Sequence, residues 1–121
     1  MKPGEYYIGD PSYITKGNPG YHWIEKLWDA FYADKTPAKT LTIDDVNLFI
    51  GQTAGGDGVF DDIFVDTGVI VVMRINDLKD DQRFNFNKTK GVKFYKFDEE
   101  FTITYNKGIF NIGNQIALTT E

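Results

Sequence analysis

The C-terminal third of the chain alternates with a period of two. Arg83-Phe84-Asn85-Phe86, Val92 to Phe97 and Phe101 to Tyr105 interleave apolar or aromatic side chains with polar ones, and Ile109 to Ile112 and Gln115 to Thr119 continue the series. Successive side chains of a strand point to opposite faces, so this rhythm belongs to strands half-buried on one side and not to helices. Gly/Asn-rich turns separate the runs at 87–91, 106–108 and 113–114. Such turns supply the positive φ that tight hairpins need, and the pattern predicts an antiparallel meander.

The N-terminal part has a different rhythm. Ile24, Leu27, Trp28 and Phe31 recur at helical spacing, with Glu25, Lys26 and Asp29 on the opposite face, which predicts an amphipathic helix over Tyr21 to Ala33. A turn cluster at residues 16–20 precedes it, and a loop from Asp34 to Lys39 containing Pro37 follows. Glu5 to Ile8 reads as an opening strand that Asp10-Pro11 stops, because proline has no N–H for a ladder. Leu41 to Gln52 supports two readings. Thr42 and Asp45 can form the capping box of a second helix. Alternatively, Leu41 to Ile43 and Val46 to Thr53 form a hairpin about Asp44-Asp45, which the β-branched and aromatic content and the internal Gly51 favour. Ala54 to Gly58 reads as a tight loop, since glycine tolerates positive φ. Ile63 to Val65 and Val69 to Ile75 read as strands, the second a central one because it is apolar almost throughout.

These readings predict an α+β class, mostly antiparallel β, with about eight or nine short strands in a curved sheet or two-sheet sandwich and the helix over one face or end. The length of 121 residues fits a single domain, 1–121, able to bury a core without metal or disulfide staples. Ten Phe and seven Tyr suit a strand-rich core.

Composition narrows the function classes. No cysteine is present, which excludes a disulfide framework, a thiolate zinc site and a cysteine nucleophile. The net charge of −5 argues against a nucleic-acid partner, because duplex binding needs cations to displace counterions. Lys88, Lys90, Lys93 and Lys96 make a local stripe at most, and a DNA mimic needs a denser acidic surface. The start of the chain has no apolar core of a signal peptide, and the longest apolar run, Gly68 to Met73, is too short to span a membrane. The expected location is cytoplasmic, or the host cytoplasm for a viral protein, with no membrane partner.

Three turns are not easily explained by packing: Gly9-Asp10-Pro11, Gly56-Asp57-Gly58 and Asp66-Thr67-Gly68. If they converge at strand ends, where scaffolds carry function, their carboxylates can bind a hard cation such as Mg²⁺ or Ca²⁺ or divide acid and base roles. Each Asp can equally accept backbone hydrogen bonds within its own turn, with the glycines supplying the special φ. Residues 55–58 do not make a phosphate loop, since no Lys-Ser/Thr and no helix follow. Asp57, Asp61, Asp62 and Asp66 lack the spacing and terminal Glu of an EF-hand. His22 is the only histidine, and Ser12 lacks the context of a nucleophile elbow, so imidazole-paired catalysis has little material. No cofactor is expected beyond a possible divalent metal. The candidate ligand-binding residues are Asp10, Tyr13, Asp57 and Asp66. Of the aromatic residues concentrated near the helix, Trp28 is assigned to the core. Tyr21, Trp23 and Tyr32 are candidates for a partner surface, since aromatics dominate binding hot spots, with simple packing the alternative. The stretch Phe110 to Thr120 is poor in charge. As an edge it could pair with a second copy, making a homodimer.

The ordered set Gly9-Asp10-Pro11-Ser12-Tyr13, Gly56-Asp57-Gly58-Val59-Phe60 and Val65-Asp66-Thr67-Gly68 resembles a group of small proteins of bacteria and their phages, with large DNA viruses a further source. The resemblance reaches to about Ile75, and the group has no established activity. This chain departs from the common pattern at Ser12, where Cys is frequent, at Phe60, where Tyr is, and at Thr67, where Ala is. Ser12 removes any role resting on a thiol. Together with the missing catalytic set, the resemblance implies a non-catalytic viral or phage-type accessory protein in host interaction or counter-defence, binding a protein partner or sequestering a small ligand. The alternatives are a structural subunit of a virion or larger assembly, and a metal-dependent hydrolase using the clustered Asp residues.

Overall fold

The computed structural model describes residues 1–11, 14–16, 18–43, 45–75, 84–86 and 91–120. Among these, twelve strands and one helix follow in the order β1 (Gly4–Gly9), β2 (Ile14–Lys16), α1 (Asn18–Phe31), β3 (Ala38–Ile43), β4 (Val46–Gln52), β5 (Gly58–Phe60), β6 (Ile63–Val65), β7 (Val69–Arg74), β8 (Phe84–Phe86), β9 (Lys93–Phe97), β10 (Ile103–Asn106), β11 (Ile109–Ile112) and β12 (Ile116–Thr119). The fold is α+β and mostly antiparallel β. The strands beyond the expected number are mainly three-residue pieces, β2 and β5, too short to show a period.

A five-stranded antiparallel sheet, ordered β3-β4-β7-β1-β9, forms the middle layer. Its central strand β7 is buried from Val69 to Met73 because both of its faces are covered. On one face Val69, Val71 and Met73 join Tyr7, Leu48 and Ile50 against Leu27 and Phe31 of α1. On the other, Ile70 and Val72 join Tyr6, Ile8 and Phe49 against Phe110, Ile112 and Leu118 of the β10-β11-β12 sheet, with Ile63 and Val65 of the β5-β6 pair. Full burial on both sides is what makes the strand apolar at every position instead of every second one.

Helix α1 buries Leu27 and Phe31 of the predicted face, packs Trp28 partly against the same core and leaves Glu25, Lys26 and Asp29 exposed. It starts before the predicted boundary because Pro19 falls in the first turn, where its missing N–H costs nothing. It ends at Phe31, where Lys39 of β3 reaches the Ala30 carbonyl, lies over the Phe31 ring and pairs with Asp34. A cation beside these final carbonyls favours that end of the helix dipole.

The hairpin reading of residues 41–52 is the one the chain adopts, with Ile43 opposite Val46 and Asp45 at φ 69°. Two further hairpins close through two residues of positive φ, Asp61-Asp62 between Phe60 and Ile63, and Lys107-Gly108 between Asn106 and Ile109. This conformation carries the twist of the flanking strands.

The expectation of one continuous C-terminal meander needs correction. Only β10, β11 and β12 form it; β9 leaves to become an edge of the central sheet beside β1, and β8 pairs with β2. The reason is aromatic packing across β1. Phe97 packs edge-on to Tyr6 at 5.6 Å, and Phe94 edge-on to Tyr7 at 5.8 Å, on opposite faces. Phe101 then stacks on Phe97 at 3.8 Å and leads the chain into the meander layer.

Candidate functional site

Strand register brings the three Gly/Asp turns to one end of the central sheet. Gly9, the last residue of β1, stands opposite Val71, and Gln52, the last of β4, stands opposite Val69, the first of β7. The loops that leave β1 and β4 therefore meet the loop that enters β7.

Asp10 is the centre of this meeting and is fully buried. Its Oδ2 accepts the backbone N–H of Asp66 at 2.7 Å and of Thr67 at 2.8 Å, and the Thr67 hydroxyl lies 3.0 Å from both carboxylate oxygens. The Tyr7 hydroxyl donates to the Asp10 carbonyl at 2.6 Å. Glycine at position 9 permits this arrangement, since a Cβ there would stand 2.9 Å from Val92 and 3.2 Å from the Tyr7 oxygen. A carboxylate that accepts two N–H groups is a strong turn clamp.

The second turn adjoins the first by a different contact. The Thr53 N–H donates to the Gly68 carbonyl at 2.9 Å, and its hydroxyl donates to Gly56. The Asp57 carboxylate lies 3.9 Å from where a Cβ on Gly68 would stand, and Gly68 itself has φ 75°. Asp57 and Asp66 are exposed, unlike Asp10. Thr120 ties the same loop to the meander. Its hydroxyl donates to the Gly108 carbonyl at 2.6 Å and accepts from Ala54 N–H at 3.0 Å, while its carbonyl accepts from Gly55 N–H at 2.8 Å. Among the described residues no group of three or more His, Cys, Asp or Glu is placed to hold a metal ion. The chemistry on view is a hydrogen-bonded junction between loops.

Sequence reasoning missed Thr53 and Thr120, which carry much of this junction. Thr67 lay within a turn already singled out, but its hydroxyl was given no role there. Nothing local marks Thr120, whose partners lie 12 and 66 positions away.

The remaining candidates divide. Tyr13 and Ser12 lie outside the described residues, as do Lys88 and Lys90. Tyr21, His22 and Trp23 belong to α1, and their side chains are likewise outside what is described. Tyr32 is 56 % exposed just beyond the helix, stacked on Trp28 with centroids 5.8 Å apart. Trp28 packs against the helix-side core as expected, though only partly buried. Lys93 pairs with Asp61 at 2.8 Å.

A surface that the sequence did not single out is the outer face of β5-β6. Val59 and Phe64 are cross-strand partners and remain 59 % and 42 % exposed, while Ile63 and Val65 on the inner face are buried. The pair is held firmly. Phe64 N–H donates to the Gly91 carbonyl at 2.9 Å, and Gly91 packs so closely that a Cβ would stand 2.7 Å from the Phe64 ring.

Among the described residues no helix is long and apolar enough to cross a membrane. Comparison of the chain with protein-family models, with curated proteins and with solved structures finds no match in any of the three.

Proposed function

We propose that this chain is a non-catalytic accessory protein of viral or phage type that binds a protein partner through the outer face of the β5-β6 hairpin. The observation that carries this reading is the pair Val59 and Phe64, two apolar side chains presented side by side to solvent on a hairpin pinned to the body of the fold. Single exposed apolar residues are ordinary, but adjacent ones on a rigid element form a surface that a partner can desolvate. The phage or viral character rests on the motif resemblance, and a cytoplasmic or host-cytoplasmic location accompanies it. The hydrolase alternative is weakened because Asp10, the carboxylate at the centre of the cluster, already serves as the acceptor for Asp66 and Thr67.

The test compares the wild-type chain with the double variant Val59→Ser/Phe64→Ser as bait in host lysate. The reading expects a partner retained by the wild type and lost by the variant, with the single variant Val59→Ser, whose side chain is the more exposed, also weakening capture and NMR confirming that both variants fold. Turnover of a nucleotide or phosphoester by the purified protein, abolished by Asp57→Asn, would overturn it.

A second reading, a subunit of a homodimer, virion or larger assembly, is favoured by one specific observation. β12 stands at an edge of the meander and carries no charge, whereas the central-sheet edges β3 and β9 bear Lys39, Lys93 and Lys96. Edge lysines oppose strand addition, and an uncharged edge invites it. Sedimentation of the purified chain as a monomer, together with its absence from purified particles, would dismiss this reading.

A further inference from the structure

On a surface separate from the β5-β6 hairpin, we infer that the outer side of the meander and the adjoining end of β9 form a binding site for a neutral oligosaccharide. Three adjacent depressions of about 450, 300 and 310 Å³ run together here, and Gln115 lines all of them. The first holds Thr104 and Asn111, register partners across β10 and β11, with Asn114. The second adds Glu99, and the third reaches Tyr95. The trough thus offers hydroxyl, amide and carboxylate groups in a row, ending at Lys96 and the Tyr95 ring.

This chemistry suits a sugar better than other ligands. Carboxylates accept from hydroxyl donors, and amides both donate to and accept from them. Tyr95 is 37 % exposed and tilted against Phe97 with centroids 4.7 Å apart, so one side of the ring is anchored while the residue remains open to a pyranose C–H face. Glu99, Glu100 and Asp98 outnumber the one cation of the lining, Lys96, so the trough disfavours an anionic ligand. Between Phe101 and Thr120 the only charge is Lys107, which sits in the hairpin turn at the other end of the strands from Gln115. The groups are also pre-positioned. Gly113 and Asn114 have φ 60° and 59°, Gln115 N–H donates to the Ile112 carbonyl, and Gly113 lies so close to the Phe97–Phe101 stack that a Cβ would meet Phe101 at 2.9 Å. A turn fixed in advance loses little freedom on binding.

The experiment is an NMR titration of the full chain with maltohexaose, cellohexaose, xylohexaose and chitohexaose, each to about 10 mM, the range of weak affinities. The expected result is saturable shifting of the Asn111, Asn114 and Gln115 side-chain amides by at least one of them. Tyr95→Ala and Gln115→Ala should each weaken that binding at least about tenfold with the thermal midpoint unchanged. If Tyr95→Ala does not fold, Gln115→Ala carries the comparison. The inference is overturned if none of the four produces saturable shifts, if binding survives both variants, or if a sulfated hexasaccharide binds more tightly than the neutral ones. The Val59→Ser/Phe64→Ser variant should bind the sugar normally, which separates this site from the proposed protein-binding face.

Discussion

Thr67 gives both of its donors, the backbone N–H and the side-chain hydroxyl, to the buried carboxylate of Asp10. The two residues are 57 positions apart, and the contact fastens the end of β1 to the start of β7. Asp10→Ala orphans the N–H groups of Asp66 and Thr67 and should cost about 3 kcal/mol, since each unpaired buried donor is worth about 1–3 kcal/mol. Asp10→Asn keeps an acceptor oxygen and should cost about half as much. Urea unfolding followed by Trp fluorescence measures both. Equal stability of wild type and Asp10→Ala would show that the carboxylate is not the clamp.

The same use of Asp10 bears on metal binding. A hard cation needs six or more oxygen ligands, several of them carboxylates. Here the most buried carboxylate of the cluster is committed to backbone and hydroxyl donors. Millimolar Mg²⁺, Ca²⁺ or Mn²⁺ should therefore leave the melting temperature where EDTA leaves it, because a ligand held only by the folded state must raise it. A rise that Asp57→Asn or Asp66→Asn removes would restore the metal-dependent alternative.

Much of the fold was legible because periodicity reports burial. The helix face, β6, β7 and β11 could be placed from the spacing of apolar residues, and the Asp44-Asp45 hairpin from β-branched content. What was not legible is which strand pairs with which. Lys93 to Phe97 alternates like a member of the meander, but it pairs with β1, where Phe94 and Phe97 pack on Tyr7 and Tyr6. The turn motifs at Asp10, Asp57 and Asp66 were visible, but whether they meet depends on the register of β1, β4 and β7, which no local pattern encodes. Val59 escaped notice because residues 54–58 read as a loop, whereas Gly58 opens a strand; Phe64 lay in a predicted strand, but its partner across the hairpin was not foreseen.

Gly51 tests how tightly the meander is laid on the central sheet. A Cβ at this position would stand 2.8 Å from the Phe110 ring and 3.1 Å from the Tyr105 ring. Gly51→Ala should destabilise the fold by about 1–3 kcal/mol, the usual cost of overpacking a filled core. Phe110→Leu in the same background should recover part of the loss by making room. Chemical denaturation of the two single variants and the double variant measures that coupling; strictly additive losses would count against direct contact.

Two groups give the stability a predictable pH dependence at its extremes. The Lys39 ammonium, and after it the Thr36 N–H, hold the exposed Asp34 carboxyl down to about 2. A depressed carboxyl contributes stability that is fully present above its ordinary value and is lost as pH falls toward the folded one, so this contribution fades between about pH 4 and pH 2. Burial raises Tyr105, whose hydroxyl donates to the Gln52 carbonyl at 2.7 Å, and the Gly108 backbone opposes this only in part. A raised phenol is the opposite case: its contribution is present below pH 10 and is lost as pH climbs through the elevated folded value. Carboxyl-detected NMR should find Asp34 titrating near 2 in the wild type and closer to its ordinary value in Lys39→Ala. Ring-carbon NMR should show Tyr105 still protonated at pH 10, with the assignment made from Tyr105→Phe. An Asp34 midpoint that ignores Lys39→Ala would remove the ion pair as its cause, and a Tyr105 that ionises at its ordinary value would mean that the meander edge is open to water.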